Sequence, residues 1–175
     1  GYFLYIGSQI TLPMARYCSA HLLLLYLITM PVFLLAQTPV QVGKDFREEV
    51  LSKQVALLED ASKSLTIQDI LSKKSIFKPN NHPFINPGFT NSYYWVRFRV
   101  SNLDSVERDL ILEVENPHIN KLQLFTVSRN QVKASKITGD HFRFAQRPIR
   151  HPHFLFPIHI PPGETLTYYL CVDKH

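Results

Sequence analysis

Of the side chains in this 175-residue chain, the eight histidines are best equipped for chemistry, and His141, His151, His153 and His159 fall close together. Imidazole suits zinc or copper, so His151-Pro152-His153 is the first place to look for a metal site. No carboxylate or cysteine stands at ligand spacing along the chain to complete the set. His153 and His159 would share one face of a strand, but six residues at about 3.3 Å each hold them roughly 20 Å apart, too far for one ion. The spacing predicts exposed strand and loop histidines and no metal. Nucleophilic chemistry has no better footing: Ser, His and Asp are present, yet no Ser sits in a Gly-x-Ser-x-Gly turn. Six unclustered glycines supply no phosphate-cradling loop, and no cofactor is expected. Glu48-Glu49 and Glu113/Glu115 read as solvated or charge-paired carboxylates. With no nucleophile–base arrangement, the chain is not expected to be an enzyme.

The stretch His141-Phe-Arg-Phe-Ala-Gln-Arg-Pro-Ile-Arg150 has the basic and aromatic mixture of a nucleic-acid surface. An outward-facing anion or sugar acid is the better partner for an exported chain, and no nucleic acid is expected. Within the stretch, Arg147 reads as a structural arginine held by a carboxylate such as Asp140. The net charge of +5 is modest and spread out. Hydrophobic residues at 45% and charged residues at 19% give a globular composition, which excludes a disordered chain and a multi-pass membrane protein. Twelve prolines against six glycines, with 12% aromatics, lean toward an all-β chain rich in turns. Two cysteines make neither a disulfide framework nor a four-thiolate zinc site.

The N-terminal region reads as an address. Residues 22–36 are uncharged and apolar, too short for a spanning helix of roughly 20 residues and broken by Pro31. They fit the core of a signal peptide, with Arg16 as the positive region before it. Met14 is then the natural start, residues 14–36 the signal peptide, and residues 1–13 upstream read-through. Ala36 offers a cleavage position, although Leu34 is large for the position two residues before it. Uncleaved, the segment would be an anchor helix; either way the remainder is exported. Cleavage removes Cys18 and leaves Cys171, which alternates with strand residues and is expected to be buried.

The elements that must position these side chains are mostly strands. Residues 37–51 show no period and read as a leader. Val55-Ala56-Leu57-Leu58 is a first strand. Ser64–Leu71 reads as a short helix, with Thr66 as N-cap, Asp69 three residues later, and Ile67, Ile70 and Leu71 on one face. Pro79, Pro83 and Pro87 mark a long loop. Period-two segments follow: Tyr94, Val96, Phe98 and Val100; Leu110, Leu112 and Val114; Leu122 and Leu124; Phe154, Phe156, Ile158 and Ile160; and Leu166, Tyr168, Leu170 and Val172. Such short strands at regular spacing predict a β-sandwich. Strands 93–100 and 109–115 both carry their apolar residues on even numbers, which predicts an antiparallel pair with Trp95, Arg97 and Arg99 facing Ile111, Glu113 and Glu115.

The order of several short motifs adds a resemblance. Leu65-Thr-Ile-Gln-Asp-Ile-Leu71 precedes Phe77-Lys-Pro79, then Ser92-Tyr-Tyr-Trp95-Val-Arg97-Phe-Arg-Val-Ser-Asn102, Leu112-Glu-Val-Glu-Asn116-Pro117 and Leu122-Gln-Leu-Phe125. Thr138-Gly139-Asp140, Arg147-Pro148-Ile149, Phe154-Leu-Phe-Pro157 and Tyr168-Tyr-Leu-Cys-Val172 complete the set. Residues 52–174 thereby resemble the type-2 extracellular domain of bacterial seven-transmembrane receptors with diverse intracellular signalling modules. The resemblance implies a jelly-roll β-sandwich similar to carbohydrate-binding modules. It also implies a periplasmic location, a role in sensing a carbohydrate or other small molecule, and a membrane region and output module as onward partners. The candidate ligand-binding residues are Trp95, Arg97, Asp140 and Arg147: an aromatic face stacks on a sugar ring, and arginine or aspartate fixes hydroxyls or acids. Neither membrane region nor output module falls within these residues, so the expectation is a receptor fragment, a truncated product or a stand-alone exported copy. Two other readings compete. One is an interaction sandwich that packs on a partner chain or a second copy; the other is a secreted carbohydrate-binding protein.

Overall fold

A computed structural model describes residues 37–72, 75–85, 91–116, 118–147 and 149–174. The expected signal peptide (14–36), residues 1–13 and Pro148 lie outside the described residues. In chain order the elements are β1 (Val40–Val42), β2 (Ala56–Asp60), α1 (Ile67–Ser72), β3 (Lys78–Pro79), β4 (Tyr93–Asn102), β5 (Arg108–Val114), β6 (Lys121–Ser128), β7 (Gln131–Thr138), β8 (Phe154–Ile160) and β9 (Thr165–Asp173). They form two sheets. The larger runs β3-β2-β4-β9-β6-β7, with β1 added in parallel to the end of β4; the smaller is β5 paired with β8. All pairings except β1–β4 are antiparallel. The expected all-β sandwich is what this sequence forms.

Alternation explains which side chains meet. On β4, Val96, Phe98 and Val100 point inward; on β9, Leu166, Tyr168 and Leu170; on β6, Leu122 and Leu124. The smaller sheet answers with Leu112 from β5 and Phe154, Phe156, Ile158 and Ile160 from β8. Removing such side chains from water contributes about 1.5–3 kcal/mol each, the main term holding the two sheets together. Phe98 and Tyr168 stack across the β4–β9 pair with ring centroids 5.2 Å apart.

One pairing expected from the sequence does not form. β4 lies between β2 and β9, while β5 pairs with β8 in the other sheet. Apolar residues on even numbers in both strands satisfy either arrangement, since two strands facing one core from opposite sheets carry the same alternation as a hairpin. The decision falls at Asn102, which is fully buried. Its amide nitrogen donates to the carbonyls of Val106, Ile160 and Pro161 at 2.8–3.1 Å, and its Oδ1 accepts the Asp104 N–H. This knot turns the chain out of the larger sheet and ties the crossing to the β8–β9 connection. Arg97 and Arg99 therefore do not face Glu113 and Glu115.

Three further features depart from the linear reading. The segment expected as a leader supplies β1, whose Val40 and Val42 are buried in the main core. β7 was not expected as a strand; its side chains are exposed up to Ile137, so it shows no apolar period. It is formed by a two-residue hairpin at Arg129-Asn130, both at positive φ, the twist that suits paired strands. The outer face of the larger sheet has its own core, where Trp95, Phe125, Val127 and Tyr169 lie under Ile67 and Ile70 of α1. That helix starts as expected: Asp69 N–H donates to Thr66 Oγ1 and Thr66 N–H donates to Asp69 Oδ2, a reciprocal cap.

Candidate functional site

The four candidate ligand residues fall in two places. Trp95 lies beneath α1, 2% exposed and stacked on Phe125, so its indole faces are covered by protein. Arg97 is half-buried on the same side of the sheet, with its guanidinium 4.5 Å from the Phe77 ring centre. Asp140 and Arg147 are brought together elsewhere, as an ion pair at 3.2 Å. The Arg147 side chain is only 9% exposed. Its Nη1 donates to the carbonyls of His151 (2.8 Å) and Pro152 (3.0 Å), and its plane lies over Phe154. That is the work of a loop clamp, the structural role expected for Arg147. Gly139 at φ +144° lets the chain pass Asn120; a Cβ there would lie 2.2 Å from the Asn120 carbonyl oxygen.

A shallow groove opens elsewhere, where β6 and β7 of the larger sheet come alongside β8. Its volume is about 450 Å³, and it stands open to solvent. Buried Ile158 and Leu166 line it together with three cationic side chains, Arg129, Lys133 and Lys136. Glu164 and His159 complete the polar set. Lys136 reaches from β7 to donate to the Pro157 carbonyl on β8, bridging the two sheets at this side. Arg129 is placed by the hairpin turn at φ 49°, a conformation uncommon for a long side chain. None of these cations was legible as a site, because they come from a hairpin and strand without apolar alternation. The available signal was the Arg129-Asn130 turn between two segments of strand length.

Electrostatics distinguish the histidines. His159 is held above its ordinary value, chiefly by hydrogen bonding to Asp109 (Nδ1–Oδ1 2.7 Å), with Glu107 adding to the effect against a smaller desolvation cost. His153 Nδ1 lies 2.6 Å from Glu113 Oε1, and His151 is beside it. The sequence argument that no carboxylate completes the His151/His153 set holds along the chain and fails in space: β5–β8 pairing delivers one from 40 residues away. Cys171, expected to be buried, is half-buried against the second core, and desolvation pushes its thiol up to about 12, leaving it unreactive. Burial likewise raises Tyr168, whose hydroxyl has no partner among the described residues.

Fold and site together define an antiparallel β-sandwich with a cationic groove at one side. The family model described as 7TMR-DISM extracellular 2 matches residues 52–175, most of the chain, and the chain belongs to this family of extracellular sensor domains of seven-transmembrane receptors. The match agrees with the resemblance read from the ordered motifs. No curated protein matches the sequence. Among the described residues no helix is long and apolar enough to cross a membrane.

Proposed function

We propose that this chain is the exported ligand-sensing domain of a bacterial membrane receptor. In this reading residues 14–36 act as its signal peptide, and it binds a small acidic molecule of the sugar-acid class without transforming it. Family membership supports the sensing role. The observation that carries the ligand class is the groove of about 450 Å³ with Arg129, Lys133 and Lys136 along its walls. Apolar side chains there offer a surface to a sugar ring, and guanidinium and ammonium groups neutralise a carboxylate. Trp95 and Arg147 serve the scaffold in this reading. A membrane region would receive the signal through the sandwich.

Calorimetric titration with glucuronate and galacturonate, beside neutral glucose and galactose, tests this. Saturable binding of a uronate, weakened at least tenfold in Arg129→Asn/Lys133→Ala while that variant keeps its melting temperature, is the expected result. Uronate binding that survives the double substitution, or no saturable binding by either class, would remove the groove as the site.

A further inference from the structure

We propose that Glu113, His151 and His153 form a binding site for a divalent transition ion of the zinc class. The site is separate from the groove and does not depend on the ligand-sensing reading. Its three donor groups come from two elements. Glu113 stands on the outward face of β5, where Leu110, Leu112 and Val114 take the inward positions opposite Ile158, Phe156 and Phe154. His151 and His153 lie in the loop entering β8, one residue apart around Pro152. One candidate ligand atom from each of the three side chains lies within 4.8 Å of the others.

Geometry and chemistry agree on the ion. Bonds of about 2.0–2.1 Å to nitrogen and oxygen in a tetrahedral shell put neighbouring ligand atoms about 3.3 Å apart. Glu113 Oε1 and His153 Nδ1 are already closer, at 2.6 Å, and must part slightly; the remaining donors must close by about 1.5 Å at most. Rotation of an exposed glutamate and two half-buried imidazoles supplies that movement. Two imidazoles and one carboxylate suit zinc and disfavour calcium or magnesium, which select oxygen ligands. Three protein ligands leave a fourth position for water or another donor. On binding, the Glu113–His153 hydrogen bond is replaced by two coordination bonds. The His153 ring proton then resides on Nε2, and a neutral ring loses none.

The loop is held in advance. Arg147 donates to both the His151 and Pro152 carbonyls and rests on Phe154, and Asp140 pairs with it from the other side. The His153 N–H donates to His151 Nδ1 at 3.2 Å; ligation through Nδ1 gives up that bond, and ligation through Nε2 moves the ring proton to Nδ1 and gives it up as well. Pro152 removes backbone freedom between the two ligands. Less ordering is therefore left to be done when the ion arrives, the usual service of residues around a metal's ligands.

Zinc chloride titrated by calorimetry into the untagged, EDTA-treated chain tests the site, with magnesium and calcium as comparison ions. The expected result is one saturable equivalent of zinc, retained in excess magnesium or calcium. His153→Ala and His151→Asn should each lower affinity at least tenfold. His159→Ala, on β8 and roughly 20 Å away, should leave it unchanged. X-ray absorption of the loaded protein should report a nitrogen and oxygen shell with two imidazoles. The proposal is overturned by the absence of saturable zinc binding below millimolar concentration. Equal affinity in wild type and in a folded Glu113→Gln/His151→Asn double variant would overturn it too, as would a shell with fewer than two imidazoles.

Discussion

Arg147 spends its guanidinium on its own loop. Its hydrogen bonds run to two backbone carbonyls and one carboxylate, and its face is on an aromatic ring. Charged donors to carbonyls are worth about 1.5–3 kcal/mol each, less what water recovers at this edge. Arg147→Ala is therefore expected to lower the urea-unfolding free energy by about 2–4 kcal/mol. Asp140 is 40% exposed, so Asp140→Asn should cost less than about 1 kcal/mol. A reversed order of the two variants would show that the ion pair, and not the carbonyl bonds, holds the loop. His159 gives a second prediction at this scale. Hydrogen bonding to Asp109 raises its folded pKa above the unfolded value of about 6.5. Its contribution to stability is thus fully present below the unfolded pKa and is lost as pH rises through the folded one. An NMR titration should find His159 above 6.5, and Asp109→Asn should bring it down; an unmoved pKa in that variant would assign the shift to Glu107 instead.

At the scale of elements, the short parallel strand β1 is the least expected part. The family match begins at residue 52, yet Val40 and Val42 sit in the core beside Val100, and the Gln37 side chain donates to the Arg97 carbonyl. A chain starting at residue 52 loses both buried valines, at about 1.5–3 kcal/mol each. It should be less stable than one starting at residue 37 by at least about 3 kcal/mol in equilibrium unfolding. Equal stability would return the segment to the status of a leader. β7 is the opposite case, a strand without apolar period, held by pairing with β6 and a tight turn. Its lysines Lys133 and Lys136, with Arg129 in the turn before it, give the groove its charge.

At the scale of the molecule, the groove and the histidine cluster both depend on β8, which carries Pro157 and His159 toward one and follows from the His151–His153 loop at the other. β8 belongs to the smaller sheet and is tied to the larger one by Lys136 at one side and by Asn102 at the β8–β9 connection. In the proposed receptor, a ligand held between β7 and β8 would bear on the spacing of the two sheets.

Local patterns alone determined a good deal here. Period-two alternation marked β4, β5, β6, β8 and β9, because a side chain facing a core must be apolar whatever its partner. The Thr66–Asp69 cap and the Asp140–Arg147 pair were also legible, since both are made by residues close in sequence. Only the tertiary structure decided which strand lies beside which, because alternation fixes a face and not a neighbour. The same limit hid the second core over Trp95, where α1 covers a sheet face that alternation leaves open. It also hid Glu113 beside His153, two residues 40 positions apart that only the β5–β8 register brings within hydrogen-bond distance.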